Sequence, residues 1–162
     1  MVNERVLPFT IYHLPLIKMF LFDQPIIETA QTLSIDQLWY FFPIGYLTTI
    51  LIETPVLLLG LSPKLSFKQK LMCGIWLTAC TYPIVVLVLP ALMQDFSRDL
   101  YIWVAELFAH FGECVIFWLA FRGKIEFDTK DWIRCFIAIL LANFASFSIG
   151  EVLNYYRWFG LF

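Results

Sequence analysis

Charge is what this chain has least of. Only 15% of its 162 residues are Asp, Glu, Lys or Arg, and the formal total of -2 at pH 7 is spread over short segments between apolar runs. No broad basic surface is available for a nucleic acid and no acidic one for a basic partner, so nucleic-acid binding is excluded. Cys73, Cys80, Cys114 and Cys135 form no C-x-x-C, which removes the spacing that dithiol exchange or c-type haem attachment needs. They read as small apolar packing residues. The two histidines, His13 and His110, fall in segments of very different character, and no helix carries a pair for haem. A nucleotide-binding motif and a recognisable catalytic set are missing as well, which leaves a membrane-embedded enzyme as the third of three functional readings.

What is abundant is hydrocarbon. Hydrophobic residues make up 60% of the chain and aromatic ones 19%, and the mean hydropathy of +0.76 lies far above that of a water-soluble domain. Four stretches, 39–61, 71–93, 100–121 and 132–151, are long enough to cross a bilayer core, which takes roughly 20 apolar residues. Each must be helical, because lipid offers the backbone no hydrogen-bond partner. The expected fold is therefore an all-α membrane protein of four transmembrane helices. It divides into an N-terminal segment 1–38, a first hairpin 39–93, and a second hairpin with an aromatic tail 94–162. Within the first segment, residues 7–22 are apolar but interrupted by Pro8, Pro15, His13 and Lys18, which fits an interfacial or part-inserted helix better than the alternative of a fifth span. The prolines and the lack of a small-x-small site argue against a cleaved signal peptide. Pro55, Pro83 and Pro90 are expected to kink or loosen the spans that hold them.

Positive charge supplies an orientation. Lys64, Lys68 and Lys70 lie between the first two spans, and Arg122, Lys124 and Lys130 between the last two, with Arg134 just beyond. Segment 23–37 holds three acids and no Lys or Arg, and the Asp95 loop has Arg98 against two aspartates. The positive-inside rule then places loops 62–70 and 122–131 in the cytoplasm and the C-terminus outside, with Arg157 a small contrary vote. Trp39, Tyr40, Trp132, Tyr155, Tyr156 and Trp158 read as interfacial aromatics.

The two hairpins resemble one another. At an offset of 60, Leu47, Glu53, Leu59, Lys64, Phe67 and Lys70 align with Leu107, Glu113, Leu119, Lys124, Phe127 and Lys130, giving E-x10-K-x2-F-x2-K twice. Beyond the loop the offset becomes 65, and Thr78, Thr81 and Pro83 lie over Asn143, Ser146 and Ser148. Such a duplication is a parallel repeat, its pseudo-two-fold axis running along the membrane normal.

The stretch AELFAHFGECV, 105–115, poses the functional question. An ionisable side chain at mid-bilayer costs roughly 2.5–3.5 kcal/mol on insertion scales and usually faces a bundle interior or water. At about 100° per residue, Glu106, His110 and Glu113 fall at roughly 0°, 40° and 340°, a single stripe. With Glu53, the repeat partner of Glu113, they form a candidate proton or cation site, supported by the polar side chains of Thr81, Asn143 and Ser146. Carboxylate and imidazole together suit a divalent first-row metal, for which Glu106, His110 and Glu113 are the candidate ligands. The alternative is packing, with neutral glutamates hydrogen-bonded to Thr48, Thr49, Thr81, Asn143 or Ser146 to fix helix register. Glu151 is expected at the membrane surface.

The segments IETPVLLLG, TACTYPIVVLVLP, GECVIFW and ANFASFSIG, within residues 45–150, resemble a group of small uncharacterised multi-pass proteins of bacterial membranes. Members of that group have Asn where this chain has Thr78. The resemblance implies the bacterial inner (plasma) membrane and carries no activity. The expected function is a non-enzymatic subunit or assembly partner of a larger membrane complex. A proton-coupled or divalent-cation transporter, oligomeric and using the carboxylate stripe, is the second reading. The partners are the lipid bilayer and either a larger complex or further copies of the chain.

Overall fold

The computed structural model describes residues 35–156. The expectations for residues 7–22, and for Arg157 and Trp158 in the tail, lie outside the described residues. Within them the chain is helical without strands, and four helices are long and apolar enough to cross a membrane. These are α1 (Ile35–Gly60), α2 (Phe67–Leu92), α3 (Arg98–Phe121) and α4 (Thr129–Tyr155). Short loops make neighbours antiparallel. α1 packs most extensively, against α2 and α4; α3 closes the square more lightly against the same two helices.

Every helix begins earlier than hydropathy alone suggests, and the caps explain the last three. Ser66 accepts from the Gln69 N–H while the Gln69 side chain takes the Ser66 N–H, a reciprocal capping box that starts α2 inside the polar Phe67–Lys70 stretch. Ser97 caps α3 through the Leu100 N–H. Ahead of α4, Asp128 and Asp131 exchange side-chain-to-backbone bonds of 2.8 and 3.3 Å in the same way. Satisfying the orphan N–H groups lets a helix run on into water.

Both basic loops lie at one end of the bundle and are tied together. Lys64 pairs with Asp131 at 2.7 Å and donates to the Glu126 carbonyl at 2.9 Å, while the Ser62 hydroxyl donates to Asp131 at 2.6 Å. Accepting from Lys64, Asp131 holds that ammonium above its ordinary pKa. Two further cations close the C-terminus of α1. Lys70 donates to the Leu58 and Leu61 carbonyls, and Arg134 Nε to that of Gly60 at 2.8 Å. Cations there satisfy orphan carbonyls and oppose the negative end of the helix dipole.

α2 changes pitch in the half away from the basic loops. Pro83 is followed by a π-helical turn, Ile84–Val88, before α-helix resumes at Leu89–Leu92. In π-helix the Val85 carbonyl would take the N–H of residue 90, which is a proline and has none. The Tyr101 hydroxyl of α3 donates to that carbonyl instead, at 3.0 Å.

The apolar core occupies the basic-loop half. Leu57, Leu61, Leu77, Phe117, Cys135 and Ile139 are all buried there. Two glycines let helices close on each other. A Cβ on Gly74 would overlap Thr54 of α1, and one on Gly60 would lie 2.6 Å from Ala138 Cβ of α4. Leu51, Leu59, Trp103, Leu107 and Phe111 point away from the bundle, as side chains facing hydrocarbon do.

Candidate functional site

Glu53 and Glu113 are buried in the bundle interior, 2% and 1% exposed. Glu53 leaves α1 between α2 and α4. Its Oε2 accepts from the Thr78 hydroxyl at 2.7 Å and its Oε1 from the Ser146 hydroxyl at 2.7 Å. Glu113 leaves α3 between the same two helices. Its Oε1 accepts from Thr81 at 3.0 Å and its Oε2 from Asn143 Nδ2 at 2.8 Å. Each carboxyl therefore ties α2 to α4, and all four carboxyl oxygens are engaged.

The donors have second acceptors. Thr78 also lies 3.1 Å from the Gly74 carbonyl, Thr81 3.2 Å from that of Leu77, and Ser146 2.9 Å from that of Asn143. A hydroxyl has one proton, so each of these chooses between carboxyl and backbone. Asn143 has two N–H protons and uses both, on Glu113 and on the Ile139 carbonyl at 3.1 Å. Its amide orientation follows from that carbonyl, which accepts and cannot donate.

The partners come in an ordered way. Glu53 takes Thr78 from its own hairpin and Ser146 from the other; Glu113 takes Asn143 from its own and Thr81 from the other. Thr78 and Asn143 are the positions aligned at offset 65, as are Thr81 and Ser146.

Of the residues singled out from sequence, Glu53, Glu113, Thr81, Asn143 and Ser146 thus meet in one network. Thr78, absent from that set, is its sixth member; the alignment of Thr78 with Asn143 was the signal for it. Thr48 and Thr49 take no part, turning their hydroxyls to the Ile44 and Gly45 carbonyls of their own helix. Glu106 and His110 stay outside the network, half-buried on α3 toward the end opposite the basic loops. Glu106 lies within electrostatic range of Glu53 and Glu151. His110 Nε2 is 4.0 Å from Cys114 Sγ, and its Nδ1 is enclosed without a protein partner. Glu151 is half-buried too.

Among the described residues no three His, Cys, Asp or Glu side chains converge as metal ligands would. In the network each hydroxyl can exchange its hydrogen bond between a carboxyl and a backbone carbonyl. No family model matches this chain, and neither a curated protein nor a solved structure does.

Proposed function

We propose that this protein is a non-enzymatic integral membrane subunit, an assembly partner within a larger membrane complex. The observation that carries the reading is the engagement of all four oxygens of Glu53 and Glu113 by side chains of α2 and α4. A core so occupied works as a clamp that sets helix register, and the outward apolar faces are what remains for a partner to recognise. The exchanged pattern of own-hairpin and other-hairpin donors supports a parallel duplication of the hairpin. The shared end of the two basic loops supports a cytoplasmic location for both, in the inner membrane of a bacterium. Purification in mild detergent, followed by identification of co-purifying chains, tests the proposal. A larger membrane protein in fixed stoichiometry is expected; a clean homo-oligomer would contradict it.

One observation favours the second reading, a proton-linked protein. Thr78, Thr81 and Ser146 each stand between a carboxyl oxygen and a backbone carbonyl, so each can donate a hydrogen bond to its glutamate or accept one from it when the carboxyl is protonated. Glu106, His110 and Glu113 as ligands of a divalent metal find less support, since both Glu113 oxygens are already bonded to Thr81 and Asn143.

A further inference from the structure

Burial is distributed unevenly about the carboxyl pair. Between it and the basic loops the four helices meet in a close-packed plug, where Leu57, Leu61, Leu77, Phe117, Cys135 and Ile139 are at most 1% exposed. Toward the opposite end, Ala105 alone among the described apolar side chains is buried. Glu106, His110 and Glu151 lie on that side, all half-buried, where an ionisable group in a membrane needs water or a polar neighbour. Among the described residues, packing is thus close on one approach to the pair and looser on the other.

The pair itself is built to change protonation without losing hydrogen bonds. When Glu113 is a carboxylate, Thr81 donates to its Oε1. When Oε1 carries a proton, that O–H donates to Thr81 and the Thr81 proton turns to the Leu77 carbonyl. Asn143 donates to Oε2 in both states. Glu53 does the same through Thr78 and the Gly74 carbonyl, or through Ser146 and the Asn143 carbonyl. In each exchange one proton crosses between carboxyl and water, and one hydroxyl turns to compensate. Thr54, only 9% exposed and with no partner for Oγ1, stands against Gly74 beside this relay, an acceptor the protein leaves unfilled.

We propose that Glu53 and Glu113 form a proton-binding site entered from one end of the bundle only, the end opposite the basic loops, with Glu106 and His110 on the way in. The inference rests on the proton-linked reading. The titratable groups on the helices around the pair include Glu106, His110, Cys114, Tyr101 and Asp99 of α3, Glu151 and Tyr155 of α4, Cys80 and Tyr82 of α2 and Tyr46 of α1, with Cys73 and Cys135 buried in the plug. Lys64, Lys70 and Arg134 lie beyond the plug, bonded to loop and backbone oxygens at the sealed end. A site of this kind senses or stores protons from one compartment and does not by itself conduct them across.

Infrared difference spectroscopy of the full chain in liposomes tests this, with insertion direction fixed by thiol labelling of Gln94→Cys. The buried carboxylic-acid bands are assigned by their loss in Glu53→Gln and Glu113→Gln, in which the amide donates and accepts as the neutral acid does. When pH is stepped across roughly 4 to 9 on the side of Gln94, the bands should change; the same step on the side of the basic loops should leave them unchanged. A further variant, Phe117→Ala, should make the basic-loop side effective by opening the plug. Bands that respond from the basic-loop side in the wild type would overturn the one-sided site while leaving a proton-linked protein. Bands that respond from neither side would overturn both.

Discussion

The two carboxyls differ at the residue scale in what their loss leaves behind. Remove Glu53, and Thr78 and Ser146 still have backbone carbonyls at 3.1 and 2.9 Å. Remove Glu113, and one N–H of Asn143 loses its acceptor in a buried place. An unsatisfied buried donor costs about 1–3 kcal/mol, whereas a hydrogen bond between membrane helices averages roughly 0.6 kcal/mol. Glu113→Leu should therefore destabilise the bundle by about 1–2 kcal/mol more than Glu53→Leu in detergent-titrated unfolding. Equal losses would mean that the donors do not divide as described. The two sites are also joined, since the Ser146 hydroxyl lies between Glu53 and the backbone carbonyl of Asn143, whose side-chain amide bonds Glu113. Glu53→Gln with Glu113→Gln should cost less than the sum of the single changes in a thermal-stability cycle, and strict additivity would show the sites to be independent. Sequence could reach Glu53 and Glu113 because a carboxyl amid 60% hydrophobic residues stands out. The stripe of Glu106, His110 and Glu113 was legible as a shared face, but not as a shared partner. A helical angle fixes direction, not packing, and α3 is the lightly packed helix, so its stripe is buried at Glu113 and half-open at Glu106.

At the scale of elements, four spans were readable from length and hydropathy, and their starts were not. Phe67–Lys70 and Thr129–Asp131 are too polar to count as hydrocarbon-spanning, yet they are helix because Ser66, Gln69, Asp128 and Asp131 cap them. The lysines carried two meanings of which the sequence displayed one. Lys70 and Arg134 count toward the side of the membrane in the positive-inside reading, and in the structure they close the end of α1. Helix contacts were the least legible, because small residues at a crossing give no periodic signal. Gly74 supplies the check. Gly74→Ala forces a methyl into Thr54 and should weaken the α1–α2 contact by about 1–3 kcal/mol, as overpacking does. Gly150→Ala meets nothing within 4 Å and should be neutral or slightly stabilising in the same unfolding assay. The reverse order would show that α1 and α2 do not approach closely at Gly74.

For the whole molecule, a polar core makes sense only if hydrocarbon surrounds it. In water the exposed leucines, tryptophans and phenylalanines of all four helices would be an aggregation surface; in a bilayer they are the solvated one. Four crossings in antiparallel order put both basic loops at one end, where Lys64 reaches Asp131 across them. That arrangement is the premise of the proposed subunit, of the proposed duplication and of the proposed one-sided proton site. Sided thiol labelling in intact cells tests it most directly, with one cysteine added at a time at Pro63, Thr129 or Gln94, all exposed in loops or at a helix start, and the wild-type chain with its four native cysteines as the blank. Pro63→Cys and Thr129→Cys should be protected together from an impermeant reagent and react only after the membrane is opened, while Gln94→Cys reacts at once. Labelling of Pro63→Cys and Thr129→Cys from opposite sides would contradict the four-crossing bundle itself.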